Sequence, residues 1–383
     1  MKVRRFHPLY CESSVADLRN RLEGTRWPDS IPGSGFDYGA ELDFMRELCA
    51  YWQKDFDWRC ALEAFSAFPH FRYEAEAGGL HFIHERGKGD RPLPIIITHG
   101  WPGSFLEMLK IIPLLTDPAT HGGDAADSFD VVVPSLPGYG FSDRPTSPGM
   151  NTFRVGDMWA DLMEELGYSR YAAQGGDFGA NVSTVLALLN PERVIGLHLN
   201  YIPGSYRPHL EPDVKLNASE EQFLKDDACW YERSGGYSHV QRTEPQTLAY
   251  GLNDSPAGLA AWLVEKFRLW ADCDGDLYRR FTRDEILTHV TLYWMTQTFH
   301  SSCRLYYESR KAPLHFSKTD LVTVPAGIAR FPKEEPFPPR AWVERGYNIQ
   351  RWTEMPRGGH FAALEEPQLL VEDIREFFRP LRS

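Results

Sequence analysis

The strongest constraint on the fold is a rhythm: short apolar runs separated by stretches long enough for a helix, broken once and then resumed. The runs are Leu80-His81-Phe82-Ile83-His84, Leu93-Pro94-Ile95-Ile96-Ile97-Thr98, Phe129-Asp130-Val131-Val132-Val133, Tyr171-Ala172-Ala173-Gln174 and Val194-Ile195-Gly196-Leu197-His198-Leu199. A strand with one wet face alternates apolar and polar residues. Runs this continuously apolar are buried on both faces, which means a parallel sheet covered by helices, an α/β architecture. The rhythm stops between about 205 and 315, where the chain turns helical and aromatic. Residues 257–267 read as one helix of this block, and Thr282-Arg283-Asp284-Glu285 reads as a capping box opening another. Strands then return at 321–324 and 347–352, followed by a last helix at Pro367–Phe378. A helical block inserted there forms a lid over the C-terminal edge of the sheet, where ligands bind in such folds. The N-terminal stretch reads as mostly helical: an amphipathic segment at 17–22, a turn at Trp27-Pro28-Asp29 and an aromatic-rich helix at 41–56. The expected division is 1–75 (helical extension), 76–205 (first part of the core), 206–315 (lid) and 316–383 (second part of the core).

The strand at 171–174 leads directly into Gly175-Gly176-Asp177-Phe178-Gly179, and Val182, Val185 and Leu186 mark the helix that follows. A small-x-nucleophile-x-small pentad between strand and helix is similar to the nucleophile elbow of α/β-hydrolases, a strained turn that needs small neighbours. The aspartate restricts the chemistry. A serine there forms an acyl ester. A carboxylate attacking an acyl carbon would give an anhydride, whereas attack on saturated carbon gives an alkyl ester that water can hydrolyse at the Asp carbonyl. The expected electrophile is therefore an sp³ carbon bearing a leaving group, in an epoxide or an alkyl halide.

Partners stand where such an elbow needs them. His99-Gly100-Trp101-Pro102-Gly103-Ser104 follows the strand ending at Thr98, the position of the loop that supplies an oxyanion donor. The backbone N–H groups of Trp101 and Phe178 are the expected pair. His99 is expected to be structural, and Trp101-Pro102 is a candidate cis bond. His360, in Arg357-Gly358-Gly359-His360-Phe361, follows the last strand and is the expected base. Its orienting acid belongs after the preceding strand, where spacing alone leaves Glu334 and Glu335 open.

These segments together resemble the microsomal-type epoxide hydrolases, in their soluble microbial form, over nearly the whole chain. The resemblance is carried by Thr25-Arg26-Trp27-Pro28-Asp29, by the 99–104 loop, by Asn253-Asp254-Ser255-Pro256-Ala257-Gly258-Leu259-Ala260-Ala261, and by Gly358-Gly359-His360-Phe361-Ala362-Ala363-Leu364-Glu365-Glu366-Pro367. It implies an α/β-hydrolase fold with an inserted helical lid and an N-terminal extension. It also implies conversion of an epoxide to a vicinal diol through an Asp177 ester. The family's acid falls on Glu334, and its two lid tyrosines fall on Tyr237 and Tyr306, with Tyr307 one residue away. Two departures stand out. Phe178 occupies a position where the family usually has Trp, and no counterpart of the membrane anchor of animal members is expected. The first rival activity is haloalkane or haloacid dehalogenation. It needs an N–H donor for the halide, commonly a Trp beside the nucleophile, and the Phe178 side chain has none. The second is a binding protein that kept the fold, which would have had no reason to retain nucleophile, base, acid and both tyrosines.

The remaining features mostly exclude. Formal net charge is −12, spread along the chain, with no basic stripe for nucleic acid. The N-terminus carries charge without an apolar run behind it, so neither a signal peptide nor a membrane anchor is expected. Six irregularly spaced cysteines without a C-x-x-C pair read as free thiols in a cytoplasmic protein. His81 and His84 share a strand but point to opposite faces, so no metal site is expected. No cofactor is implied. The partners expected are an apolar epoxide and water, and a homodimer is the candidate assembly.

Overall fold

The computed structural model describes residues 2–382. Its sheet has nine strands: β1 (Val3–Arg5), β2 (His70–Ala75), β3 (Gly78–Glu85), β4 (Leu93–Thr98), β5 (Phe129–Pro134), β6 (Tyr171–Gly175), β7 (Val194–Leu199), β8 (Val322–Arg330) and β9 (Tyr347–Glu354). They lie in the order β1-β2-β3-β5-β4-β6-β7-β8-β9. From β5 through β9 every pairing is parallel, and the β1, β2 and β3 pairings are antiparallel. The apolar runs sit where the pattern predicts: Ile95, Ile96, Ile97, Val131, Val132 and Val133 are fully buried. Helices Thr152–Glu165 and Phe178–Leu189 pack against each other, closely enough that a Cβ on Gly156 would stand 2.8 Å from Val185.

Three elements differ from expectation. The N-terminal stretch contains strands β1 and β2, which complete an antiparallel edge on β3. β1 is only 3 residues long, and β2 reads His-Phe-Arg-Tyr-Glu-Ala, too charged to stand out as a buried run. The helix expected at 41–56 is present as Leu42–Lys54, and a further helix, Trp58–Ser66, follows it. Asp57 separates them by accepting the Arg59 and Cys60 N–H groups as an N-cap. β8 runs on to Arg330 although Pro325 and Gly327 interrupt its apolar pattern.

Between β7 and β8 the chain inserts helices Ala218–Ser234, Gly236–Thr243, Pro245–Leu252, Pro256–Trp270, Arg283–Thr296 and Phe299–Ser309. The expected capping box at Thr282 and Glu285 is formed. The N-terminal helices hold this insertion in place. Trp52 Nε1 donates to Thr291 Oγ1 at 2.8 Å in the core, and Tyr51 donates to Asp284 at 2.8 Å. Arg21 pairs with Asp254 at 2.6 Å. The buried bond contributes about 1 kcal/mol, and the two exposed contacts mainly fix register.

His81 and His84 both belong to β3 and are engaged in the core. His81 hydrogen-bonds His70 and Ser135, each at 2.8 Å, and His84 meets Tyr168 at 3.0 Å. Among the described residues no cluster of His, Cys, Asp and Glu is arranged to hold a metal, and no helix is long and apolar enough to cross a membrane.

Candidate active site

β6 ends at Gly175, and the next helix begins at Phe178. Asp177 makes the turn between them at φ 49°, ψ −127°, a conformation that costs a non-glycine residue roughly 1–3 kcal/mol. Neighbouring backbones crowd this turn. A Cβ on Gly179 would lie 1.9 Å from the Thr98 carbonyl oxygen, and one on Gly100 would lie 2.3 Å from Asp177 Cβ. The glycines therefore let the end of β4 and the elbow touch, and the strain aims the Asp177 carboxylate off the sheet edge.

The two carboxylate oxygens differ in setting. The Trp101 N–H donates to Asp177 Oδ1 at 2.8 Å, and the Phe178 N–H also bonds the carboxylate. Oδ2 lies 3.8 Å from His360 Nε2. Burial pushes the Asp177 pKa up, while His360 and the two N–H groups pull against it. The Trp101-Pro102 peptide is cis. His99 is fully buried, with Nδ1 donating to the Gly100 carbonyl at 2.9 Å and Nε2 accepting the Leu136 N–H at 3.1 Å. Burial lowers its pKa to about 4, so it is a neutral brace for the loop.

His360 lies on the loop after β9. Its Nδ1 donates to Glu334 Oε2 at 2.8 Å, and its backbone N–H donates to the Trp270 carbonyl at 3.0 Å. Glu334, after β8, is 5% exposed, whereas Glu335 is exposed at the surface. Geometry thus pairs His360 with Glu334. Burial opposes charge on the ring, but Glu334, Asp177 and Glu107 outweigh it and lift the His360 pKa to about 9. Glu334 stabilises the cation, so Glu334→Gln should move the His360 pKa down from about 9, read by NMR titration of the imidazole. The amide also no longer fixes the tautomer, and hydrolysis of an Asp177 ester should slow on the order of 10³-fold.

The inserted helices bring Tyr237 and Tyr306 over the elbow. Tyr237 stacks on Trp101 with centroids 5.3 Å apart and planes 9° from parallel. Tyr306 stands edge-on to Phe178 at 4.6 Å and to Trp101 at 5.8 Å. The two tyrosine rings are 6.1 Å apart. Burial holds both pKa values well above the usual phenol value; for Tyr237 the Asp177 charge comes next, and for Tyr306 the neighbouring tyrosine and then Asp177. Both hydroxyls therefore stay protonated and can donate. Tyr307 instead packs under Arg310 and Lys311, away from this cluster.

A cavity of about 340 Å³ opens onto Asp177, His360, Glu334 and Tyr237, with Tyr201, Trp230 and Trp270 among its aromatic walls. Three residues of this region were not singled out from sequence. Tyr201 follows the end of β7, itself a signal because ligands meet α/β sheets at strand ends. Trp270 ends the helix Pro256–Trp270 and meets the His360 ring with centroids 5.0 Å apart. Glu107 is a buried acid in the apolar stretch after the 99–104 loop.

A strained acidic elbow, backbone donors on its carboxylate, and a histidine–glutamate pair from the ends of β9 and β8 define an α/β-hydrolase with an aspartate at the nucleophile position. The family model of the alpha/beta hydrolase fold matches residues 94–234, and that of the epoxide hydrolase N terminus matches residues 3–108. The chain belongs to the epoxide hydrolase family. It is 44% identical over 97% of its length to a Stigmatella aurantiaca protein named "Putative epoxide hydrolase", covering 84% of that protein. It is 37% identical to epoxide hydrolase 1 of Sus scrofa, with 98% of this chain and 88% of that one aligned. The solved structure of Aspergillus niger epoxide hydrolase superposes with a TM-score of 0.86 at 28% identity, covering 100% of this chain and 97% of that one.

Proposed function

We propose that the protein converts an apolar, aryl-bearing epoxide to a vicinal diol in two steps. Asp177 Oδ2 attacks a ring carbon while Tyr237 and Tyr306 hydrogen-bond the ring oxygen and supply its proton. Asp177 becomes a neutral ester, and His360 loses one of the charges that hold its pKa near 9. The His360 proton replaces the one given up by tyrosine, which leaves the imidazole neutral and able to act as a base. His360, oriented by Glu334, then takes a proton from water as that water attacks Asp177 Cγ. The N–H groups of Trp101 and Phe178 hold the developing negative charge on Oδ1. The Cγ–Oδ2 bond breaks, Oδ2 leaves with the diol, and the proton on His360 completes its hydroxyl.

The observation that carries this reading is the pair of protonated tyrosines beside the aspartate. They suit an oxygen that remains attached to the product, whereas a departing halide needs a donor that the Phe178 side chain lacks. The aromatic walls of the cavity favour aryl substituents. A cytoplasmic location belongs to the same proposal, supported by six free thiols. The test is styrene oxide turnover with diol and halide analysis. Wild type is expected to yield phenyl diol and to release no halide from chloroalkanes. Tyr237→Phe or Tyr306→Phe alone should slow ester formation roughly 100-fold, and the double variant roughly 10⁴-fold. Halide release with no diol would overturn the assignment.

A further inference from the structure

Behind Asp177 lies a second, much smaller chamber of about 20 Å³, lined by Gly100, Trp101, Glu107, Gln174, Asn200 and His360 as well as Asp177 itself. Among the described residues only Asp177 and His360 line both this chamber and the aromatic cavity. A chamber of this size holds about one water, provided it offers two to four polar partners. Those partners are present. Glu107, Gln174, Asn200 and His360 put polar side chains on the chamber wall, and Gln174 Oε1 is a buried acceptor with no hydrogen-bond partner among the described residues. Gln174 is fixed by its other end, where Nε2 donates to Asn200 Oδ1 at 2.8 Å.

Glu107 is 8% exposed and forms no salt bridge among the described residues. Its carboxyl receives backbone hydrogen bonds from Gly100 and Ser104. It occupies the space a side chain on Gly103 would need, since a Cβ there would lie 1.5 Å from Glu107 Oε1. Burial, reinforced by Asp177, raises its pKa to about 8, so near neutral pH it is mainly an uncharged acid with a carbonyl acceptor.

We propose that this chamber holds the hydrolytic water and that Glu107, with Gln174, positions it for attack on the Asp177 ester. A water attacking Cγ gives one hydrogen to His360 Nε2 and points a lone pair at carbon. Its second hydrogen needs an acceptor behind the aspartate, which the carbonyl oxygens of Glu107 and Gln174 supply. Substrate and water then reach Asp177 from opposite sides, so a bulky alkyl group in the aromatic cavity does not displace the nucleophile of the second step.

The inference rests on Asp177 forming the ester, and single-turnover kinetics with styrene oxide separates the two claims. Tryptophan fluorescence follows ester formation, and the intact mass of quenched enzyme follows ester decay. Glu107→Met and Gln174→Met should each form the ester within about threefold of the wild-type rate yet hydrolyse it at least about 30-fold more slowly. Glu107→Gln keeps a carbonyl acceptor and should recover most of the loss. A role in bracing the oxyanion loop alone would leave Gln174→Met unaffected, and that result would overturn the proposal. So would equal slowing of both steps, or a Glu107→Gln variant as slow as Glu107→Met. A wild-type enzyme that never carries the adduct mass would instead overturn the ester itself, and the inference with it.

Discussion

Replacing His360 with glutamine should stop turnover while leaving the first chemical step running. Glutamine cannot take a proton from water, and general-base catalysis of this kind contributes roughly 10²- to 10⁴-fold. Asp177 still carries its strained elbow geometry, its two backbone donors and the tyrosines opposite. Removing the imidazolium also removes an attraction that favours ionised Asp177, so the experiment belongs at about pH 8, where the carboxylate is retained despite burial. Expected is a burst of epoxide consumption equal to the enzyme concentration, followed by steady turnover about 10³-fold or more below wild type. Over the same time the intact protein should gain the mass of one epoxide, located in the peptide holding Asp177. A loss of ester formation as large as the loss of hydrolysis would mean that His360 is needed for the first step.

Asp177→Ala should abolish both steps. The other carboxylates near the cavity are engaged or turned away: Glu334 is held by His360, Asp227 and Asp274 are paired with Arg207 and Arg279, Glu335 is exposed, and Glu107 lines only the smaller chamber. Loss of a nucleophile from such a constellation costs on the order of 10⁵- to 10⁶-fold in turnover. The same change does not relieve the strained φ of 49°, since alanine tolerates positive φ less well than aspartate, but it removes a buried carboxylate that burial already disfavours as an ion. Stability should therefore change little, and a thermal melt within a few degrees of wild type would show that the lost activity is chemical. Residual diol formation above about 1% of wild type would assign the nucleophile elsewhere.

Much of the fold was legible because parallel strands buried on both faces leave continuous apolar runs, as β4, β5 and β7 do. β1 and β2 were not legible: β1 is a three-residue edge strand that draws its stability from the neighbour it pairs with, and β2 beside it carries charged residues within a short antiparallel run. The site was legible wherever function imposes a local pattern. The elbow needs glycines where backbones collide, and the histidine loop follows the last strand. Glu334 and Glu335 could not be separated by spacing, because the choice depends on which carboxylate the chain end of β8 turns inward. The tyrosines sit on helices far away in sequence, so no local rule marks them, and the family resemblance alone pointed there. Glu107 was invisible for a related reason. Its meaning comes from burial next to Asp177 and His360, which a single charged letter in an apolar stretch does not convey.

The central claim is that the reaction runs through an Asp177 ester. Its most direct test is one turnover in ¹⁸O water with enzyme in excess, followed by mass spectrometry of the diol and of the peptide containing Asp177. The ester route predicts an unlabelled first-turnover diol and one ¹⁸O in the Asp177 carboxylate. Label in the first diol, with Asp177 unlabelled, would mean that water opens the epoxide directly.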